Sequence, residues 1–257
     1  MKLAVCGKGG SGKSTLVALL AQEALSRKYR VVVMDSDESN PGLFRLLGFE
    51  RPPSPLLELA GGRREVWKTL EEGKGVLAKE SFRLEELPPE YVKRKNGLSL
   101  LCVGKIMVAK EGCACPLGAL TREILRRLEL GERELLLADL EAGIEHLGRG
   151  VEEGVDAVLV VVDPSFDSVV LAGRMAQMAR GMGKRVYVVL NRIRPGGTEE
   201  RLKMEVRKRG LKVAGVIHED QELFESEMSG GELKAGRAWE EVRYLLDFLL
   251  AEEKGCA

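Results

Sequence analysis

The stretch of sequence that decides the fold is Gly7-Lys8-Gly9-Gly10-Ser11-Gly12-Lys13-Ser14-Thr15. It follows a short apolar run and opens a segment with helical periodicity. The spacing G-x-x-x-x-G-K-[ST] between a strand and a helix is typical of a phosphate-binding loop, whose glycines let successive backbone N–H groups point at phosphate oxygens. We expect all nine residues to line a nucleotide site, with Lys13 on the β- and γ-phosphates, Ser14 on Mg²⁺ and Thr15 on the α-phosphate. A glycine-rich turn without a ligand is the weaker alternative.

Apolar runs alternate with helical patterns beyond this loop. The predicted strands are Lys2–Cys6, Arg30–Met34, Leu98–Val103, Glu134–Asp139, Ala157–Val162, Arg185–Leu190 and Lys212–Val216. The predicted helices are Ser14–Arg27, Leu117–Leu130, Ser168–Arg180, Thr198–Arg209 and Ala238–Leu250. Most strands are continuously apolar, which indicates a doubly wound, mainly parallel α/β sheet with helices on both faces. We expect one domain over residues 1–257, with a loop and helical insertion at about 50–95 that is rich in charge, proline and glycine.

The composition excludes several classes of protein. Of the 257 residues, 44% are hydrophobic and 31% charged, and 40 Lys+Arg balance 40 Asp+Glu. Without net positive charge or a long apolar run, we expect neither a nucleic-acid partner nor a membrane span. The first apolar run leads straight into the glycine loop, so we expect no signal peptide and a cytoplasmic location. Of the five cysteines, Cys6 and Cys102 lie in apolar strands and are expected in the core, and Cys256 is expected to be a dangling thiol.

Three carboxylates follow predicted strands. Asp35 and Asp37 come at the end of the second strand, and Asp139 ends the apolar run Leu135–Asp139, as in a Walker B motif. Because ligands bind at the carboxyl ends of parallel strands, these side chains are expected at the nucleotide site. We expect Asp139 to hold Mg²⁺ together with Ser14, and Asp35 to support that site. The alternative for Asp35 and Asp37 is that each only begins a turn.

An additional lysine near the start of the loop, Lys8, indicates which class of phosphate-binding-loop protein the chain resembles. Lys8-Gly-Gly-x-Gly-Lys-Ser resembles the deviant Walker A ATPases, the superclass of MinD, ParA and the nitrogenase iron protein. The resemblance implies an ATP-bridged homodimer in which Lys8 reaches the partner's nucleotide, whereas a solvated surface charge is its plain alternative. It also implies that Asp37 orients the attacking water and that Asn191 recognises adenine. His218 stands where most relatives carry a proline.

A cysteine pair follows the third long strand, in Gly112-Cys113-Ala114-Cys115-Pro116. Two thiolates cannot fill the four positions of a tetrahedral Zn²⁺ or Ni²⁺ site. A twofold axis beside Cys113 and Cys115 would bring together four sulfurs, and the implied dimer supplies such an axis. The alternative is a pair of small residues in a turn.

The cysteine pair and the run Glu-Ala-Gly-Ile-Glu-His-Leu-Gly-Arg-Gly at residues 141–150 resemble one branch, the CooC-type ATPases. That resemblance implies nickel, or zinc, held between protomers by Cys113 and Cys115 and delivered to a client enzyme, carbon monoxide dehydrogenase, with ATP turnover. In this run His146 is more typical of a structural residue than of a metal ligand.

Three alternatives stay open. The first is a similar factor that serves acetyl-CoA synthase. The second is a MinD- or ParA-like positioning ATPase, although the amphipathic Trp239–Leu250 segment is acidic and more typical of core packing. The third is an iron–sulfur reductase like the nitrogenase iron protein, a family that has cysteine directly after the Walker B aspartate, where this chain has Leu140.

Overall fold

The structure is a computed structural model that describes residues 1–37, 42–77, 79–105, 115–140, 151–230 and 233–254. In these ranges the fold is a sheet of eight strands with the order β3-β4-β2-β5-β1-β6-β7-β8. The strands are β1 (Lys2–Gly7), β2 (Arg30–Ser36), β3 (Lys93–Lys95), β4 (Leu98–Cys102), β5 (Glu134–Leu140), β6 (Ala157–Val162), β7 (Arg185–Ile193) and β8 (Lys212–His218). All neighbours are parallel except β3, which pairs antiparallel with β4 at the edge. The predicted doubly wound, mainly parallel fold is confirmed.

Several strands run further toward their carboxyl ends than the apolar pattern predicts. β2 reaches Ser36, β7 reaches Ile193 and β8 reaches His218. The polar residues at these ends are typical of loops in a sequence, but in the structure they still pair with the neighbouring strand. Asp35 of β2, for example, pairs with Asp139 of β5. These extensions carry polar side chains to the edge of the sheet where the glycine loop begins.

The helices match the prediction in type, with shifted ends. They are α1 (Lys13–Ser26), α2 (Leu43–Leu46), α3 (Leu56–Leu59), α4 (Gly62–Glu71), α5 (Cys115–Arg127), α6 (Phe166–Gly181), α7 (Thr198–Lys208), α8 (Gln221–Ser229) and α9 (Arg237–Lys254). The sequence pattern missed α8, whose polar residues hide its short apolar stripe. The Asp220 side chain caps this helix by accepting from the N–H of Leu223 at 3.1 Å, as N-terminal aspartates commonly do.

The insertion at 50–95 holds more regular structure than its weak pattern indicates. Helix α4 begins after the left-handed Gly61, and β3 adds an edge strand to the sheet. Apolar residues of the insertion, including Leu56, Phe82 and Val92, lie in the same core as α5. The single-domain assignment stays a prediction.

Two apolar layers cover the sheet. Helices α1 and α9 pack on one face, and α5, α6 and α7 pack on the other. The apolar residues of α9, among them Val242, Leu245 and Leu249, are buried against the first face, which confirms the expected core packing. Cys6 and Cys102 are buried as expected. In the part of the chain that the structure describes, no helix has the length and apolar character that crossing a membrane requires.

Candidate functional site

The predicted site residues meet at one edge of the sheet. Strand β5 lies between β2 and β1, so that Asp139 is in register with Asp35 on one side and with Val5 on the other. The glycine loop continues from β1 directly above this point. The arrangement places the expected Mg²⁺ residues beside the loop that would hold the phosphates, at the carboxyl ends of parallel strands.

The glycine loop turns sharply into α1. Gly12 takes a left-handed conformation with φ of 91°, and the helix begins at the next residue. The Lys13 side chain is 5% exposed, and its ammonium donates to the carbonyl of Lys8 at 3.4 Å. The hydroxyl of Ser14 donates to Oδ2 of Asp139 at 2.5 Å. Lys13, Ser14 and Asp139 therefore lie close together under the loop, as the motif predicts.

Asp139 is in a strongly desolvated position. It is fully buried, and burial raises the pKa of its carboxyl to about 7, with Asp35 adding to the rise while Ser14 and Lys13 oppose it. Its Oδ1 atom finds no hydrogen-bond partner among the described residues. A buried orphan oxygen beside a serine hydroxyl fits a hard cation with oxygen ligands. Ser14 and Asp139 would hold Mg²⁺, which when bound would neutralise phosphate charge.

Asp35 and Asp37 are both buried at the end of β2, and a residue that the sequence analysis missed contacts them. The ammonium of Lys105 lies 2.7 Å from Oδ1 of Asp35 and also donates to the carbonyl oxygen of Asp37. Burial raises the pKa of Asp35, and Lys105 opposes that rise. Asp35, expected to support Mg²⁺, thus carries a lysine counter-ion. The signal for Lys105 was its place just after a parallel strand.

Lys8 is half-buried in the glycine loop. Its ammonium donates to the hydroxyl of Ser165 at 3.4 Å, and Ser165 donates to Oδ1 of Asp163 at 2.6 Å. Ser165 is also the N-cap of α6 and accepts from the N–H of Ser168. Asp163 therefore belongs to the hydrogen-bond network of Lys8.

A cavity of about 630 Å³ opens between the start of α1 and the ends of β7 and β8. Asn191 lies on its wall and its amide donates to the carbonyl of Ser11 at 2.7 Å. The next residue, Arg192, has a positive φ and donates to the carbonyl of Gly10 at 2.7 Å. The volume is in the range of small-ligand pockets, and adenine recognition by Asn191 stays a prediction. Arg192 carries no signal in the sequence.

Two further contacts define this pocket. Thr15 donates its hydroxyl to the carboxylate of Glu227 on α8, a helix that the sequence pattern missed. His218 lies between two carboxylates, with Nδ1 2.7 Å from Glu241 and Nε2 3.1 Å from Glu199. The His218 imidazole therefore ties β8 to α7 and α9 at the rim of the pocket.

The cysteine pair lies at the limit of the described residues. Cys113 lies outside them, as do His146 and Cys256, and Cys115 is described only as the first residue of α5. Among the described residues, no group of three or more His, Cys, Asp or Glu side chains is arranged to hold a metal ion. Burial and the charge of Asp35 raise the pKa of Cys102 to about 12, so this cysteine stays a thiol.

The fold and site define a P-loop nucleotide-binding protein. A family model described as the CobQ/CobB/MinD/ParA nucleotide binding domain matches residues 3–233. The chain belongs to this family and is an ATPase of the MinD/ParA type.

Two known proteins are similar to this chain over most of its length. The chain is 41% identical to an uncharacterized ATP-binding protein of Methanocaldococcus jannaschii, over 91% of this chain and 94% of the relative. It is 35% identical to the carbon monoxide dehydrogenase accessory protein CooC of Rhodospirillum rubrum, over 75% of this chain and 74% of that protein.

Solved structures agree with the observed fold. MinD of Pyrococcus horikoshii, complexed with Mg-ADP, superimposes with a TM-score of 0.70 at 17% identity and covers 98% of both chains. MinD of Aquifex aeolicus gives a TM-score of 0.68 at 22% identity, over 97% of this chain and 96% of that chain. At these identities the likeness concerns the fold.

Proposed function

We propose that this ATPase is a metallochaperone that works as an ATP-driven homodimer. It binds Ni²⁺ as cargo through Cys113 and Cys115 of both protomers and hands it to a client metalloenzyme, with carbon monoxide dehydrogenase as the first candidate. The observation that carries the proposal is the combination of a lysine-bearing glycine loop with a C-x-C pair in a relative of CooC.

The placement of the cysteine pair supports the link between ATP and metal. The chain leaves β4 after Cys102 and passes Lys105, which contacts the Asp35 side chain, and the next described residue after Lys105 is Cys115. The cysteines therefore lie on the connection between the nucleotide site and α5. Because two thiolates leave a tetrahedral site half filled, a second copy is required to complete four sulfur ligands.

The chain's own residues account for the hydrolysis step. Lys13 is poised to move from the Lys8 carbonyl to the β- and γ-phosphates, and the backbone N–H groups of the loop hold the remaining oxygens. Asp37 orients a water for attack on the γ-phosphorus, whose bond to the ADP oxygen then breaks. Lys8 of the partner subunit stabilises the charge that develops on the leaving oxygen. Loss of the γ-phosphate weakens the dimer and opens the sulfur site.

Residue identity favours this class over an iron–sulfur reductase. The position directly after Asp139 is Leu140, which is fully buried on β5. A buried leucine side chain offers no ligand atom to a cluster.

The decisive experiment measures mass and metal together. Analytical ultracentrifugation of the full chain with Ni²⁺ and a non-hydrolysable ATP analogue is expected to give a dimer, with about one Ni²⁺ per two chains. The Cys113→Ala, Cys115→Ala double variant is expected to lose nearly all bound Ni²⁺ while it still binds ATP. Cys256→Ala is the matched control, since it also removes a thiol.

Two results would contradict the proposed function. Equal Ni²⁺ binding by the double variant and the wild type would show that the pair is not the metal site. A monomer under saturating Ni²⁺ and nucleotide would contradict the shared four-sulfur arrangement.

A further inference from the structure

The Lys105 side chain contacts both Asp35 and Asp37 at the end of β2, and a backbone hydrogen bond lies close by. Its ammonium lies 2.7 Å from Oδ1 of Asp35 and donates to the Asp37 carbonyl. Two residues earlier, the N–H of Val103 donates to the Asp35 carbonyl at 2.9 Å. The Lys105 side chain is only 16% exposed and that of Asp35 is 7% exposed. An ion pair this well enclosed is screened little by solvent, so it fixes both ends of the contact.

The local charge explains why a lysine is needed there. Asp35, Asp37 and Asp139 are all buried at the same sheet edge, where Asp35 and Asp139 are direct neighbours in the ladder. Removing one partner of a buried ion pair leaves an uncompensated charge. In the absence of magnesium–nucleotide, Lys105 supplies a cation to this cluster next to Asp35.

We infer that Lys105 is a positioning residue of the ATPase: it holds the Asp35 side chain and the Asp37 backbone in place while magnesium–ATP binds beside them. The inference rests on the proposed function for the role of Asp37. Cys115 follows Lys105 by ten residues in the sequence, so we expect a change at Lys105 to alter the proposed coupling between the nucleotide state and the cysteine pair.

The test compares three variants of the full chain at pH 8. Lys105→Met removes the charge, Lys105→Arg keeps it, and Lys95→Met is the matched control, since Lys95 donates to the Gly48 carbonyl on the exposed edge. For Lys105→Met we expect kcat to fall roughly 10- to 100-fold, because Asp37 is no longer fixed, with the KM for ATP within about threefold. Lys105→Arg is expected to recover most of the lost rate, and Lys95→Met to behave as the wild type.

Equilibrium binding gives the second measurement. With a non-hydrolysable ATP analogue in a calorimeter, we expect Lys105→Met to need roughly three- to tenfold less Mg²⁺ for half-maximal nucleotide binding, because a competing positive charge is gone. Wild-type kcat and wild-type Mg²⁺ dependence in Lys105→Met would overturn the inference. Loss of nucleotide binding together with a lower melting temperature would overturn it as well, since Lys105 would then serve only the stability of the fold.

Measuring Ni²⁺ binding distinguishes a failure of this inference from a failure of the proposed function. If the wild type binds Ni²⁺, the ATP analogue is expected to change its Ni²⁺ affinity, and Lys105→Met is expected to reduce that change without altering the Ni²⁺ stoichiometry. If the wild type binds no Ni²⁺, the metallochaperone proposal fails, while the kcat and Mg²⁺ results still decide the role of Lys105.

Discussion

Replacing Gly12 by alanine tests the close approach of the glycine loop to Asn191, which lies on the wall of the neighbouring cavity. Gly12 has φ of 91°, and a Cβ there would overlap Nδ2 of Asn191, which donates to the Ser11 carbonyl. The left-handed backbone costs about 1–2 kcal/mol for an alanine. Displacing the buried Asn191 adds about 1–3 kcal/mol. We therefore expect Gly12→Ala to lower the free energy of unfolding by about 2–5 kcal/mol.

Gly183→Ala is the control for backbone strain alone. Gly183 has φ of 72°, and a Cβ there would meet no heavy atom of the described residues within 4 Å. Urea unfolding should give a loss of only about 1–2 kcal/mol for this variant. Calorimetry should show that Gly12→Ala also weakens adenine nucleotide binding and that Gly183→Ala does not. Equal losses of stability in the two variants, or unchanged binding by Gly12→Ala, would refute the contact between Gly12 and Asn191.

Two carboxylates give further predictions. Because the pKa of Asp139 is raised from 3.8 to about 7, the folded protein keeps a proton that the unfolded chain loses. Wild-type stability without nucleotide should therefore fall as the pH rises from about 4 to about 7, by at most ~4 kcal/mol. Urea titrations of Asp139→Asn should show a much smaller fall, whereas the exposed Glu58→Gln should follow the wild type. Burial raises the pKa of Asp220, but backbone N–H donors including Ala238 outweigh it and hold the pKa below its usual value. Asp220→Ala should cost about 1–3 kcal/mol at pH 7, and this difference should shrink as the pH falls below the ordinary aspartate pKa of 3.8; a constant difference would contradict it.

Residue pattern predicted the sheet well because parallel strands buried on both faces are apolar throughout. The glycine-loop motif and the strand-end rule predicted that Ser14 and Asp139 lie at one Mg²⁺ site, and in the structure the two side chains are in contact. The sequence analysis ended β2 and β7 too early, because the polar residues at the ends of these strands are typical of loops. Helix α8, and with it the Glu227 contact to Thr15, was missed because its stripe is short and its face polar. Such contacts join distant parts of the chain and leave no local signal.

The two lysines outside the phosphate-binding consensus differ in how firmly they are held. Lys105 pairs with a buried carboxylate at 2.7 Å, a charge-assisted contact of the strong kind. Lys8 donates to the neutral hydroxyl of Ser165 at 3.4 Å, near the upper limit for a hydrogen bond. Little free energy is therefore needed to release Lys8 toward a partner's nucleotide, and much more is needed to move Lys105. This difference is what the proposed dimer requires, because one lysine must cross the interface while the other keeps Asp35 and Asp37 in place.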